Sequence, residues 1–570
     1  MKLTGLHITD FIVLILYFLG ITGIGIWASK KIETVDDFFM PRNFGKFSLM
    51  MHGFGTGTHS DQAVGVASKT FSSGLSGIWY QWLWLFATPF YWLIAPVLRR
   101  FRAITMADVF VARYDQSVGM LFAFIGMVNL MVNIGLILKG SSAIISATFG
   151  EAISSSTIIV IMTILFLIYG IAGGLTAAIV TDFIQGILTI IFSFLLLPFV
   201  LNAVGGLEGM HRTITDPNMF SLIAPKEIGI FYIVVISING LVGWVTQPHT
   251  MGNCAASKTE MDGRIGVTCG NFIKRFCTVA WSLTGLASVA YLTGYNIDPD
   301  KVYGLMARDF LPQIMPGLLG IFLASLLASV MSSCDSFMIA SAALFTENIY
   351  RPFMPKKSSK HYIQIGRIAS LIIVIGGVSF AFWLPGVVKG LEIFWKISPM
   401  MGIVFWLGLF WRGATVSGAW AATFSAFFMW WITTQPIFIS FIGSLPIADS
   451  ARFVVEKATG AEIYLPWQMI FYLITGICTG IGVSLFTQPV EKQKLDNFYA
   501  LVRTPVLAHE SFISKPCTIP ENVTVPKAKK LFSINNLEIL RPSKISVIGF
   551  IVSWVFVAIL VGSMFAIAGG

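Results

Sequence analysis

Near the middle of an apolar stretch, the run Ser332-Ser333-Cys334-Asp335-Ser336 carries the side chains best suited to hold a small cation. The preceding run, Gly317 to Met331, has no ionisable group. A carboxylate among hydroxyls is costly in hydrocarbon, so inside a membrane span such a cluster marks a functional site. On a helix, Ser329, Ser332, Ser333 and Ser336 recur at i, i+3, i+4 and i+7 and share one face. Asp335 lies about 60° from Ser332 at about 100° per residue, close enough to join that face. Hydroxyl and carboxylate oxygens are the ligands a hard cation takes. The serines alone would also fit bonds back to preceding carbonyls, or tight helix packing. Asp335 shifts the reading to an ion or proton site.

Two further segments have the chemistry of a broken helix. In FSLMMHGFGTGTHSDQAVGVAS, Gly53, Gly55 and Gly57 precede Thr58, His59, Ser60, Asp61 and Gln62. Asn239-Gly240-Leu241-Val242-Gly243-Trp244 and Thr246-Gln247-Pro248-His249 interrupt a later apolar run in the same way. Irregular backbone at membrane depth survives only where it lines a cavity or is buried in protein. Paired interruptions in two halves of a chain point to a transporter's binding site. Lys274 and Arg275 stand ten residues into another apolar segment, about 15 Å deep at about 1.5 Å per residue, too deep for both to reach water. Asp182 is a solitary intramembrane carboxylate that needs a partner.

Stepping outward to the elements that must hold these groups, 55% of the residues are hydrophobic and 12% charged, and mean hydropathy is +0.78. Apolar runs of bilayer length recur about fourteen times. They fall near 9–28, 48–73, 76–98, 117–148, 156–173, 176–204, 227–251, 264–293, 315–349, 361–386, 389–411, 414–440, 464–487 and 545–568. This predicts an all-α polytopic membrane protein. The net charge of +10 would suggest nucleic acid in a soluble protein; here the basic residues gather in alternate loops, so no nucleic-acid partner is expected. Lys30, Lys31, Arg42 and Lys46 follow the first span, Arg99 to Arg113 the third, and Lys258 and Arg264 the seventh. Arg351 to Lys360 follow the ninth, and nine Lys and Arg fall within 488–544. By the positive-inside rule these loops are cytoplasmic and both termini extracytoplasmic. The segment 488–544 reads as a basic linker with a short surface helix at Asp496–Arg503. The spans between the two breaks divide into five and five, an odd number, so the halves must be inverted. Tight nucleophile–base or metal motifs are missing apart from His59 with Asp61, which argues against an enzyme.

GGLTAAIVTDFIQG (Gly173 to Gly186) resembles the signature of the sodium/solute symporter family, whose members include glucose, proline, pantothenate and sialic acid transporters. MSSCDSFMIASAALFTENIYRPF (Met331 to Phe353) and GLFWRGAT (Gly408 to Thr415) are similar to two further family segments, and the likeness spans roughly 9–490. The resemblance implies a LeuT-type five-plus-five inverted-repeat core. Its division would be a first helix and loop at 1–47, repeats at 48–225 and 226–412, two helices at 413–487, the linker at 488–544 and a last helix at 545–570. It also implies a sodium site from the carbonyls of Gly55, Thr58 and Ser329 with the hydroxyls of Ser332 and Ser333. A second sodium site in some members maps to Ser332, Asp335, Ser336 and Asp182. Sugar-coordinating positions map to Gln62, Gln81, Asn239 and Lys274, while His59 is more like the proline and pantothenate branch. The expected activity is sodium-coupled import of a small polar solute, a sugar or polyol or else a small carboxylate or amino acid, across the plasma (inner) membrane. No cofactor is expected beyond sodium as coupling ion. A proton-coupled transporter, or a transporter-like channel or sensor, stands as the alternative.

Overall fold

The computed structural model describes residues 7–29, 39–224, 228–457, 460–507, 515–521 and 523–569. Hydrocarbon offers no water to peptide groups, so helices carry the chain through it. The first span is α1 (Ile8–Ser29); the next comes in two pieces, α2 (Lys46–Gly57) and α3 (Ser60–Ser73). Then follow α4 (Thr88–Arg100), the short α5 (Met106–Arg113), α6 (Gln116–Thr148) and α7 (Ser155–Leu195). A second two-piece element, α8 (Ile230–Trp244) and α9 (Thr250–Ala255), leads to α10 (Glu260–Tyr291), α11 (Val302–Ile314) and α12 (Leu318–Ala343). The remainder is α13 (Ser359–Trp383), α14 (Val387–Phe410), α15 (Val416–Ile432), α16 (Leu465–Phe486), α17 (Lys492–Arg503) and α18 (Lys544–Ile567). Between α15 and α16 lies a hairpin of β1 (Val454–Lys457) and β2 (Gly460–Ile463), which the apolar pattern did not reveal.

Helix starts are set locally. Thr105 and Asp108 form a reciprocal capping box on α5, while Asp115, Ser154 and Thr259 cap α6, α7 and α10. Each such cap is worth about 1 kcal/mol. Burial then sorts the helices into layers. The most apolar stretch is 94% buried in α12 and 78% in α6 and α14, but 17% in α1 and 22% in α18. The first three therefore form the core, and the last two present their side chains to lipid.

The segment α7 is helical throughout, although separate spans at 156–173 and 176–204 were expected. As a straight rod it would measure about 60 Å, twice the hydrocarbon thickness. It cannot be straight, because residues near its two ends both reach the segment 301–303. Just before α7, Glu151 pairs with Lys301 at 2.7 Å, while near its other end the carbonyl of Phe192 accepts from the Tyr303 hydroxyl at 3.3 Å. The helix reverses within its length and runs as two limbs.

Loops rich in Lys and Arg collect at one end of the molecule. Arg100 pairs with Glu260 at 2.8 Å, Arg113 donates to the carbonyl of Gly408 at 2.7 Å, and Arg412 pairs with Asp496 and, at 2.8 Å, with Glu538. Lys30 and Lys31 lie outside the described residues. The poorer loops meet at the other end: besides Lys301 with Glu151, Asp300 accepts from the Val387 amide at 2.9 Å and Glu462 pairs with Lys457 at 3.0 Å. Asp10 and Gly569 belong to this second end, through the Gly320 amide (2.8 Å) and His211. The 488–544 segment is more than a linker. Its helix starts four residues earlier than expected, and Phe498 stacks on Phe101 at 5.5 Å while the Tyr499 hydroxyl donates to Gly408 at 2.8 Å.

Among the described residues, eight helices are long and apolar enough to cross a membrane, or nine if the bent pair Val416–Ile432 and Pro436–Gly443 counts as one span. The fourteen expected segments are thus not each matched by an uninterrupted apolar helix. The differences fall where the chain is broken (α2/α3, α8/α9, and the expected 76–98, which divides into Gly74–Ile78, Trp79–Trp82 and α4), folded back (α7) or charged (α10).

Close backbone contact fixes the first break against the core. A Cβ added to Gly140 of α6 would lie 2.4 Å from the Asp61 Cα of α3. Gly140→Ala should therefore force the helices apart and destabilise the protein by about 1–3 kcal/mol. A lowered Tm of the detergent-purified variant checks this, and an unchanged Tm would contradict the contact.

Candidate ion and substrate sites

Thr58 and His59 separate α2 from α3 with extended backbone, φ −128° and ψ 106° at the first, φ −137° and ψ 164° at the second. A helix end leaves carbonyls without intrahelical partners. At the end of α2, Gly55 accepts from the Thr58 amide at 3.2 Å and also from the Ser333 hydroxyl of α12 at 3.1 Å, and Gly57 accepts from the Lys274 ammonium of α10. The second break runs from Val245 to His249, where Thr246 bridges to the Ser398 carbonyl of α14 at 2.9 Å.

The hydroxyl face read from α12 is real and fully buried. Ser332 donates to Asp182 Oδ1 of α7 at 2.5 Å, and Ser336 lies 3.1 Å from the Thr56 hydroxyl of α2. Ser332 presses against the break so closely that a Cβ on Gly55 would sit 2.6 Å from its Oγ. Of the expected ion ligands, Gly55, Ser332, Ser333, Ser336 and Asp182 thus meet at the junction of α2, α7 and α12. Asp335 is buried beside them with Oδ1 lacking any partner. The Thr58 hydroxyl is likewise buried and unpartnered, and Ser329 bonds its hydroxyl back to Leu326 at 2.7 Å. An array of hydroxyl, carbonyl and carboxylate oxygens with an orphaned carboxylate oxygen fits a hard monovalent cation. Sequence reading missed His52. Its Nδ1 lies 2.5 Å from Asp182 Oδ2 and 3.4 Å from the Thr56 hydroxyl. Its signal was available: His52 and Thr56 stand at i and i+4 on one face of α2.

The expected substrate residues divide. His59, Gln62 and Lys274 line a small cavity at the break, walled by Trp84, Tyr91, Trp244, Phe337 and Phe394. His59 contacts Asp61, and its other ring nitrogen is 3.1 Å from Gln62 Nε2. Gln81 and Asn239 are not in that lining. Asn239 is turned to α14 and α16, donating to the Trp395 carbonyl at 2.9 Å and accepting from the Tyr472 hydroxyl. Gln81 is buried with both side-chain polar atoms unpartnered, and its carbonyl accepts from Arg275 at 2.6 Å. Lining residues that sequence did not commit to are Asn133, Gln247, His249, Asn253, Asn271 and Arg275. His249 and Asn253 also line a second cavity that reaches Ile104 and Thr105 at the basic end and touches His52 and Ser336.

Comparison with known proteins places this geometry. Residues 38–425 match the sodium:solute symporter family. The osmoregulated proline transporter OpuE of Bacillus subtilis is 28% identical over 83% of this chain and 94% of its own. The sodium/glucose cotransporter of Vibrio parahaemolyticus is 23% identical over 73% of this chain and 83% of its own. The sodium/pantothenate symporter of Haemophilus influenzae is 25% identical over 71% and 86%. Among solved structures, the substrate-bound outward-open state of a Na+-coupled sialic acid symporter superposes with a TM-score of 0.67 at 17% identity, covering 85% of this chain and 99% of that one. The fold is thus the LeuT-type helical core expected from the sequence.

Asp182 owes its place to two donors, and removing one leaves a buried carboxylate underserved. His52→Ala should cost about 1.5–3 kcal/mol, read as a lowered Tm in sodium-free buffer. A Tm equal to the parent's would mean that His52 does not hold Asp182.

Proposed function

The chain belongs to the sodium:solute symporter family, and from that premise we propose that it imports a small polar organic solute together with sodium by alternating access. It is an integral membrane protein and a transporter rather than an enzyme, and sodium is its coupling ion. The observation that carries the site assignment is the contact of Ser333 with the Gly55 carbonyl, with Ser332 and Asp182 alongside. Oxygens from three non-adjacent helices meet there at a helix break, where a cation can tie the break to the core. In this reading sodium lies between Gly55, Thr58, Ser329, Ser332 and Ser333, and Asp182, Asp335 and Ser336 form a second cation position. The solute occupies the cavity of His59, Gln62 and Lys274, and leaves past His249 and Asn253 toward Ile104 and Thr105.

Coupling needs only that sodium prefer one conformation by a few kcal/mol. The driving force suffices, since one charge crossing 100 mV releases about 2.3 kcal/mol. The two breaks open repeats at 48–225 and 226–412, and rocking of one against the other exposes the cavity to each side in turn. The membrane is the plasma (inner) membrane, with the basic loops cytoplasmic and both termini outside. The orphaned Oδ1 of Asp335 favours a proton as the one alternative coupling ion.

Proteoliposome uptake tests the reading. Sodium-driven accumulation should collapse with a sodium ionophore, whereas accumulation driven by a proton gradient alone would replace sodium by the proton. Ser332→Ala with Ser333→Ala should raise the half-saturating sodium concentration at least about tenfold, a loss of about 1.4 kcal/mol. Unchanged sodium dependence would move the first ion site elsewhere. Asp335→Asn should change the steepness of sodium activation, and an unaltered Hill slope would remove it from the ion path.

A further inference from the structure

The cavity at the break has an unbalanced lining. Lys274 and Arg275 both reach it, and none of the residues around it is Asp or Glu. Both side chains are nearly fully buried, with 6% and 1% exposure. Among the described residues, no carboxylate lies within ion-pairing distance of either. Lys274 donates to the Gly57 carbonyl and faces the Trp84 ring at 5.6 Å. An ammonium has three donors, so this leaves it donors to spare. Arg275 donates Nη1 to Gln81 and Nη2 to Asn271 at 3.4 Å, and its Nε has no partner. Asp61 of the break contacts His59 through Oδ1, leaves its buried Oδ2 unpartnered, and acts on Lys274 only through space. Buried cations without a paired anion are strongly disfavoured, and an arriving anion relieves that cost.

The other orphaned atoms specify the rest of the ligand. Gln62 Oε1 and Asn253 Oδ1 are buried acceptors with no donor, and both residues line the cavity. Acceptors of this kind call for hydroxyl or N–H groups on the guest. Ring faces of Trp84, Tyr91, Trp244, Phe337 and Phe394 supply an apolar wall for its carbon skeleton.

We propose that the transported solute is a small organic acid bearing hydroxyl or N–H groups, with its carboxylate seated on Lys274 and Arg275 and its donors on Gln62 and Asn253. This deepens the symport reading and rests on it. It selects the carboxylate branch over neutral sugars and polyols, and it makes Lys274 a specificity residue of the cavity.

The test is a thermal-shift titration of the purified full-length protein in sodium and in potassium, using acids paired with uncharged counterparts. Lactate with lactamide, gluconate with glucose, and pantothenate with panthenol are suitable probes. At least one acid should raise Tm in sodium while its neutral partner does not at equal concentration. Lys274→Met should weaken that acid at least tenfold while the rise caused by sodium alone persists, which also shows that the variant is folded. If Lys274→Met does not fold, Lys274→Gln takes its place. A panel in which no acid raises Tm, a neutral partner binding as well as its acid, or an unchanged affinity in the Lys274 variant overturns the proposal. Sodium-dependent binding of a neutral sugar would do so while leaving symport standing, whereas ligand binding indifferent to sodium would count against symport itself.

Discussion

The structure depends on how a membrane helix can be interrupted without leaving peptide groups stranded in hydrocarbon. At Thr58 and His59 the backbone leaves the helical path, and the freed carbonyls must find donors in protein because lipid supplies none. Lys274 of α10 provides one for Gly57, while Gly55 is shared between the Thr58 amide and Ser333 of α12. The same contacts that make the break tolerable also bring α12, α7 and α10 to it. Ion ligands and substrate ligands are therefore neighbours by construction, which is the arrangement that coupling of two cargoes requires.

The polar groups of the core form two sets on adjoining faces of α2. On one side Asp182 is held by Ser332 and His52, with Ser336 and Thr56 adjoining. On the other, Lys274 and Arg275 spend donors on main-chain carbonyls of Gly57 and Gln81 in place of carboxylates. A carbonyl satisfies a donor's hydrogen but does not neutralise its charge, so the first set is rich in negative oxygens and the second in positive charge. One side suits a cation and the other an anion.

At the two ends the chain closes differently. The end rich in Lys and Arg is bound together by guanidinium groups reaching main-chain carbonyls and acids of distant loops, with α17 docked by its aromatic residues. The opposite end carries the β1–β2 hairpin, where Lys457 reaches Glu462 and Glu392. Exposed ion pairs of that kind contribute little individually.

The sequence by itself determined the class, the alternation of loops, both helix breaks and the hydroxyl face of α12. Each of these is written in local order: apolar length, periodicity, glycine placement and spacing of polar residues along one helix. It could not determine which polar residues of different helices face each other. Asn239 and Gln81 look as available in the sequence as Gln62, yet Asn239 bonds to α14 and α16 and neither lines the cavity. His52 shares a face of α2 with Thr56, but it became a site residue only because α7 delivers Asp182 to it. The reversal within α7 was legible as two apolar spans, 156–173 and 176–204; that the chain stays helical between them was not. Spacing fixes which side chains share a face, because helix geometry is universal; which face meets which is fixed by packing many helices at once.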